Sequence, residues 1–206
     1  MGKITVLKEG KCRNKRINVF LDGRFAFSLE GVLAQRLKVG QELSTGDVEK
    51  LTRTDEHQRA MNAAARLLGY RPRSEAEMRE RLMRRGFEAE TVDAVMAKLK
   101  EQKLVDDVAF AEFWKENRVS FRPRRRRMTQ LELRRKGVDS KVIAGVIGGI
   151  DDNENAYRAA LPKARQLKAM DYETFRRRLG EYLRRRGFDY GVASKTVDKM
   201  WREKES

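Results

Sequence analysis

Apolar positions recur every three or four residues through most of the chain, a spacing that predicts amphipathic helices. Ala60, Met61, Ala64, Leu67 and Leu68 share one stripe of a helix over His57–Leu68, and Val92, Val95, Met96 and Leu99 share another. Phe110, Phe113 and Trp114 follow Asp106-Asp107, and Tyr157, Ala160, Leu161 and Ala164 follow Asp151-Asp152-Asn153, so both groups read as helices opened by acidic caps. Pro162 falls inside the second of these and is expected to kink it. Ser74-Glu75-Ala76-Glu77 reads as a capping box. The N-terminus alternates instead. Ile4–Leu7, Arg16–Leu21 and Arg24–Ser28 predict strands, the last two joined at Asp22-Gly23, a strong hairpin turn. Glu30–Leu37 is expected as a short helix ending near Val39-Gly40, and Ser44–Leu51 as a further one.

One phrase occurs three times: Leu82-Met83-Arg84-Arg85-Gly86-Phe87, Leu133-Arg134-Arg135-Lys136-Gly137-Val138 and Leu183-Arg184-Arg185-Arg186-Gly187-Phe188, with glycines 51 and 50 residues apart. The register continues past each glycine. Val92, Ile143 and Ala193 lie six residues on, and Met96, Ile147 and Val197 ten. Each copy reads as a helix whose last turn is basic, where cations favour the negative dipole end, followed by a left-handed glycine and a new helix. The fold expected is mainly α. It comprises an N-terminal domain of strands, hairpin and short helix (residues 1–53) and three tandem three-helix repeats (54–105, 106–150 and 151–206) stacking into an elongated, curved body.

Composition narrows the chemistry. The 206 residues carry a net charge of +16, which points to a polyanionic partner such as nucleic acid. With one Cys and one His, a disulfide framework and a Cys/His zinc site are excluded. No 18-residue apolar run and no apolar signal core are present, so a reducing cytoplasm is the default location. Cys12 reads as a surface thiol and His57 as a partly exposed helix-start residue. Asp106-Asp107 reads as a helix cap rather than a metal pair, and Gly148-Gly149 lacks the Lys-Ser/Thr of a phosphate loop. The Phe110, Phe113 and Trp114 group, like Met200 and Trp201, reads as core.

The charge is focal. Arg118–Lys136 holds nine basic residues against Glu132, and Arg176–Arg186 holds six against Glu181. The candidate binding residues are therefore Arg118, Arg122, Arg124, Arg125, Arg126, Arg127, Arg134, Arg135 and Lys136 in the first run. Arg176, Arg177, Arg178, Arg184, Arg185 and Arg186 complete the set from the second. Arginine dominates both, and its planar fork suits phosphate and carboxylate. Arginines at the start of a helix near Arg126 oppose the dipole, which suggests a binding requirement overriding local stability.

The three phrases, together with Leu104-Val105-Asp106-Asp107-Val108-Ala109-Phe110-Ala111, the Val19–Gly23 hairpin and Leu37–Leu43, resemble the RecX family of RecA regulators in order and spacing over nearly the whole chain. The loop Phe121–Arg127 departs from many members, which carry glycine there. The resemblance implies a non-enzymatic regulator of homologous recombination and the SOS response, without cofactor. It would bind RecA and the RecA–single-stranded DNA filament, lie along the filament groove as a monomer, and inhibit ATPase, strand exchange and filament growth. A helix-turn-helix protein acting on duplex DNA is the alternative, and a DNA-processing enzyme lacks a convincing carboxylate or nucleophile constellation.

Overall fold

The N-terminal alternation folds as an antiparallel sheet of four strands, β1 (Gly2–Glu9), β2 (Arg16–Leu21), β3 (Arg24–Glu30) and β4 (Glu42–Leu43), in the order β3-β2-β1-β4. The computed structural model describes residues 1–10 and 16–205; the surface thiol expected at Cys12 lies outside the described residues. The β2–β3 turn is the predicted one, with φ +50° at Asp22 and +79° at Gly23. One sheet face buries Ile4, Val19, Phe27 and Leu29 with Ala34 of α1 (Gly31–Ala34) and the partly buried Val48 and Leu51 of α2 (Thr45–Tyr70). Each such large apolar side chain contributes about 1.5–3 kcal/mol on burial. The edge strand β3 is closed at its end. Asp55, 2% exposed on α2, accepts from the Glu30 N–H at 2.7 Å and pairs with Arg16 at 2.8 Å, while Arg16 also donates to the Ser28 carbonyl.

The helices expected over Ser44–Leu51 and His57–Leu68 are one helix, α2, which runs through the junction expected at residue 53. A capping box between Ser44 and Asp47 starts it, and no Gly or Pro interrupts Leu51–His57. The Thr52 and Thr54 hydroxyls donate back to the carbonyls of Val48 and Lys50, so these β-branched residues sit within the helix instead of ending it. His57 is therefore a half-buried mid-helix residue and not a helix start. Likewise the short helix expected to Leu37 is only the single turn α1. α3 (Glu75–Met83) and α4 (Ala89–Glu101) follow, and α4 packs on α2.

By contacts, residues 1–71 with 78–102 form one compact unit and residues 72–77 with 103–206 another. The second unit contains α5 (Asp107–Phe121), α6 (Arg126–Arg135), α7 (Ser140–Ile147), α8 (Asp152–Gln166), α9 (Tyr172–Arg185) and α10 (Tyr190–Glu205). α5, α6 and α7 close around Phe110, Leu133, Ile143 and Ile147. α8, α9 and α10 close around Ala160, Phe175, Leu183 and Val197. The expected acidic caps are present at Asp106 and Asp151, and further ones at Asp139 and Asp171. α8 continues through Pro162 to Gln166. Gly86, Gly137 and Gly187 have φ of +83°, +76° and +90°, the left-handed conformation expected after each basic helix end.

A junction recurs inside the second unit. Asp107, first residue of α5, accepts from the Glu75 N–H at 2.8 Å, and Asp152, first residue of α8, accepts from the Arg126 N–H at 2.6 Å. In both cases the opening residue of one helix caps an earlier helix in the chain. The two later glycines share a role as well. A Cβ on Gly137 would lie 2.3 Å from the Ala76 Cβ, and one on Gly187 would lie 2.4 Å from the Met128 Cγ.

Candidate nucleic-acid interface

The structure divides the predicted basic residues into two groups. Four of them are held by carboxylates. Glu132 accepts from Arg118 Nε at 2.5 Å, Arg124 Nη1 at 2.8 Å and Trp114 Nε1 at 2.9 Å, and the Arg118 guanidinium lies over the Trp114 ring at 4.4 Å. Arg125 bridges Asp152 at 3.3 Å and Asp189 at 2.7 Å. Lys136 meets Glu77 at 3.4 Å and the Trp114 ring centroid at 5.5 Å. These contacts answer the objection to arginines at a helix start. α6 has no acid in its own first turn, but Asp152 supplies a carboxylate there from α8.

The second group faces outward. Arg122, Arg126, Arg127, Arg134, Arg135, Arg177, Arg178, Arg184 and Arg185 are exposed and have no carboxylate partner among the described residues. Arg176 is also exposed. Its hydrogen bond with Tyr190 holds the guanidinium above its ordinary pKa, so its charge is secure at any physiological pH. Arg186 is half-buried, stacked 4.7 Å from the Tyr182 ring centroid and donating to the Pro123 carbonyl at 3.3 Å.

That last contact brings the two charge runs together. A groove of about 540 Å³ is lined by Phe121, Arg122 and Arg124 from the first run, and by Tyr182, Arg185 and Arg186 from the second. No carboxylate lines it among the described residues. Phe121 is 78% exposed, which is unusual for so large an apolar ring. Guanidinium groups beside an open aromatic face suit phosphate contact together with base or side-chain stacking. A second groove, of about 260 Å³, lies between α9 and α10 and holds Arg176, Arg177 and Arg184, but Glu173 and Glu181 also line it and reduce its pull on an anion. Arg126, Arg127, Arg134, Arg135 and Arg178 line neither groove.

Phe121 and Tyr182 were not among the expected site residues. The signal available for them was an aromatic beside each arginine run, Phe121-Arg122 and Tyr182-Leu183-Arg184. Of the residues expected in the core, Phe110 is 1% exposed, Met200 is 5% exposed, and Trp114 and Trp201 pack on the two helical cores, whereas Phe113 is only half-buried. Asp106 and Asp107 both accept from backbone N–H groups, as caps do. No cluster of three metal-ligating side chains occurs among the described residues.

Family comparisons decide the lineage. Residues 2–44 match the profile described as "Regulatory protein RecX N-terminal domain", and residues 60–99 match "RecX, first three-helix domain". A regulatory protein RecX of Amycolatopsis mediterranei is 34% identical over 72% of this chain and 87% of its own length. The chain belongs to the RecX family. A regulatory protein RecX of Chlorobium limicola is 33% identical over 67% of this chain and 87% of its own length, and one of Clostridium perfringens is 28% identical with 97% of both covered. A RecX crystal structure superposes with a TM-score of 0.62 at 23% identity, covering 96% of this chain and all of its own. RecX from Lactobacillus salivarius gives 0.59 at 19% identity, covering 71% of this chain and 97% of its own. The RecX N-terminal match ends at Leu43-Ser44, where α2 begins, and the first three-helix match runs from mid-α2 to the last buried residue of α4. Among the described residues no helix is long and apolar enough to cross a membrane.

Proposed function

We propose that this RecX-family protein is a non-enzymatic regulator that binds RecA and its filament on single-stranded DNA. It lowers the filament's ATP hydrolysis, strand exchange and growth. The observation that carries the reading is the groove of Phe121, Arg122, Arg124, Tyr182, Arg185 and Arg186, where two arginine runs about sixty residues apart converge with no acid between them. A nucleoprotein filament presents both partners such a surface recognises, namely phosphates and carboxylates. In this reading residues 54–105, 106–150 and 151–206 act as three repeats behind an N-terminal appendage of residues 1–53, and the exposed arginines of the second and third repeats make the contact. The protein works as a monomer in the cytoplasm.

The test is DNA-stimulated ATP hydrolysis by RecA with the protein added at stoichiometric amounts. A dose-dependent fall is expected, and an unchanged rate rejects the reading. Equal affinity for unrelated duplexes separates it from a sequence-reading helix-turn-helix protein, which would prefer particular sites.

A further inference from the structure

The first unit carries a cavity that none of the expected site residues lines. It has a volume of about 940 Å³ and lies between one side of α2, the strands β2 and β3, and the turn joining α3 to α4. Arg59, Asn62 and Arg66 come from α2, three and four residues apart and so on one side of that helix. Arg85 and Phe87 come from the turn, and Arg16 and Glu30 from the strands. Of the two basic residues in the first glycine phrase, Arg84 turns to Glu80 at 2.5 Å, whereas Arg85 lines the cavity.

Glu30 is the one acid in this lining among the described residues, and it accepts from the Asn62 amide at 3.3 Å. Asp55 and Glu56 line only a smaller cleft alongside. There Asp55 is taken by Arg16 at 2.8 Å and by the Glu30 N–H at 2.7 Å, so that Arg59 reaches it only at 4.0 Å, and Glu56 accepts from the Glu88 N–H at 3.2 Å. Arg66 and Arg85 are exposed and have no carboxylate partner among the described residues. With Arg16 matched by Asp55, the remaining Arg59, Arg66 and Arg85 outnumber the single charge of Glu30. Like charges gathered around a concavity repel one another and draw anions in.

We propose that this cavity binds phosphate groups through Arg59, Arg66 and Arg85. Arg59 and Arg66 stand about 10 Å apart along α2, at 1.5 Å per residue. A single carboxylate meets one of them, whereas a chain of phosphates spans both, and each phosphate offers the oxygens that a guanidinium fork takes in pairs. The ring in the lining, Phe87, is 8% exposed and lies 5.7 Å under the Arg59 guanidinium, so it offers no face to a base. Recognition is therefore of phosphate alone, and its source is either a nucleic-acid backbone or a free polyphosphate. The site shares no residue with the arginine groove.

The test uses the full chain, with anisotropy of labelled oligo(dT) across a salt series and calorimetric titration of tripolyphosphate. The double variant Arg66→Gln, Arg85→Gln is expected to flatten the log K against log salt slope for oligo(dT) by about 1.4, at ~0.7 per phosphate contact. It is expected to weaken tripolyphosphate about tenfold, the scale of one lost charged hydrogen bond. The control Arg36→Gln, Lys50→Gln removes two exposed cations of the same unit outside the cavity and is expected to change neither. All four side chains are exposed, and circular-dichroism melts check that the variants fold alike. A flattened oligo(dT) slope assigns the cavity to a nucleic-acid backbone, and loss of tripolyphosphate alone assigns it to a free polyphosphate. The proposal is overturned if both measurements match wild type, or if the control variant loses as much. Lost RecA binding with both anions retained also overturns it and makes the cavity a site for acidic protein side chains. An unchanged RecA ATPase rate overturns the regulatory reading and leaves these measurements standing.

Discussion

Replacing each of the three repeat glycines with alanine separates backbone strain from close packing. All three have positive φ, so each alanine carries a left-handed penalty of about 1–2 kcal/mol. At Gly86 that is the whole cost, because a Cβ there meets nothing within 4 Å. At Gly137 the new Cβ lies 2.3 Å from the Ala76 Cβ, well inside the ordinary carbon separation of roughly 3.5–4 Å. Ala76 has no torsion to turn aside, so backbone must move, and overpacking adds about 1–3 kcal/mol. Gly187→Ala falls between, since the Met128 Cγ at 2.4 Å belongs to a half-buried, rotatable side chain. The expected order of destabilisation is Gly137, Gly187, Gly86. Urea unfolding measures it. Trp114 and Trp201, the only tryptophans, both lie in the unit containing Gly137 and Gly187, and far-UV ellipticity follows Gly86→Ala in the other. If Gly86→Ala and Gly137→Ala agree within about 0.5 kcal/mol, conformation alone accounts for the motif and the packing argument fails.

Other consequences are as direct. Replacing Arg122, Arg126 and Arg127 together is expected to flatten the log K against log salt slope for single-stranded DNA by about 2, at ~0.7 per phosphate contact, whereas replacing Arg125, which is outside the groove and held by Asp152 and Asp189, leaves the slope nearly unchanged and lowers the unfolding midpoint. Glu132→Ala strips the acceptor from Arg118, Arg124 and Trp114 and is expected to cost about 1.5–3 kcal/mol in a denaturant titration. The Asp171 carboxyl is held below its usual range chiefly by the Thr174 N–H. A depressed folded-state value gives stability that is present at neutral pH and lost as pH falls through that value. Wild type and Asp171→Asn should therefore converge in stability as pH drops below about 4, and a gap that persists in acid contradicts the cap.

Local patterning made most of the fold legible. The hairpin at Asp22-Gly23, the acidic caps and the left-handed glycines each follow from a few adjacent residues, and each appears where its chemistry demands. The joining of two predicted helices into α2 was not legible, because Thr52 and Thr54 count against a helix by propensity and are accommodated by hydroxyl bonds to the preceding turn. For the candidate site, the sequence located the charge without its division of labour. Whether an arginine is held depends on acids distant in sequence: Glu132 lies eight residues from Arg124, Asp152 lies 27 from Arg125 and Asp189 lies 64 from it.

That division explains why so dense a positive run is tolerated. Side by side, Arg124, Arg125, Arg126 and Arg127 repel one another and oppose the dipole of α6. Glu132 and Asp152 draw Arg124 and Arg125 back onto the fold, and Asp152 also accepts from the Arg126 N–H at the helix start. The held arginines close the contacts that join α6 to α5 and α8. Those contacts hold the C-terminal end of α5, which presents Phe121 and Arg122, while the side chains of Arg126 and Arg127 remain in solvent. One stretch of sequence thus supplies both the clamp and the face it presents. Removing a clamped arginine should damage binding through misplacement of Phe121 and Arg122, with a salt slope close to wild type, and removing an exposed one should damage it through lost charge alone.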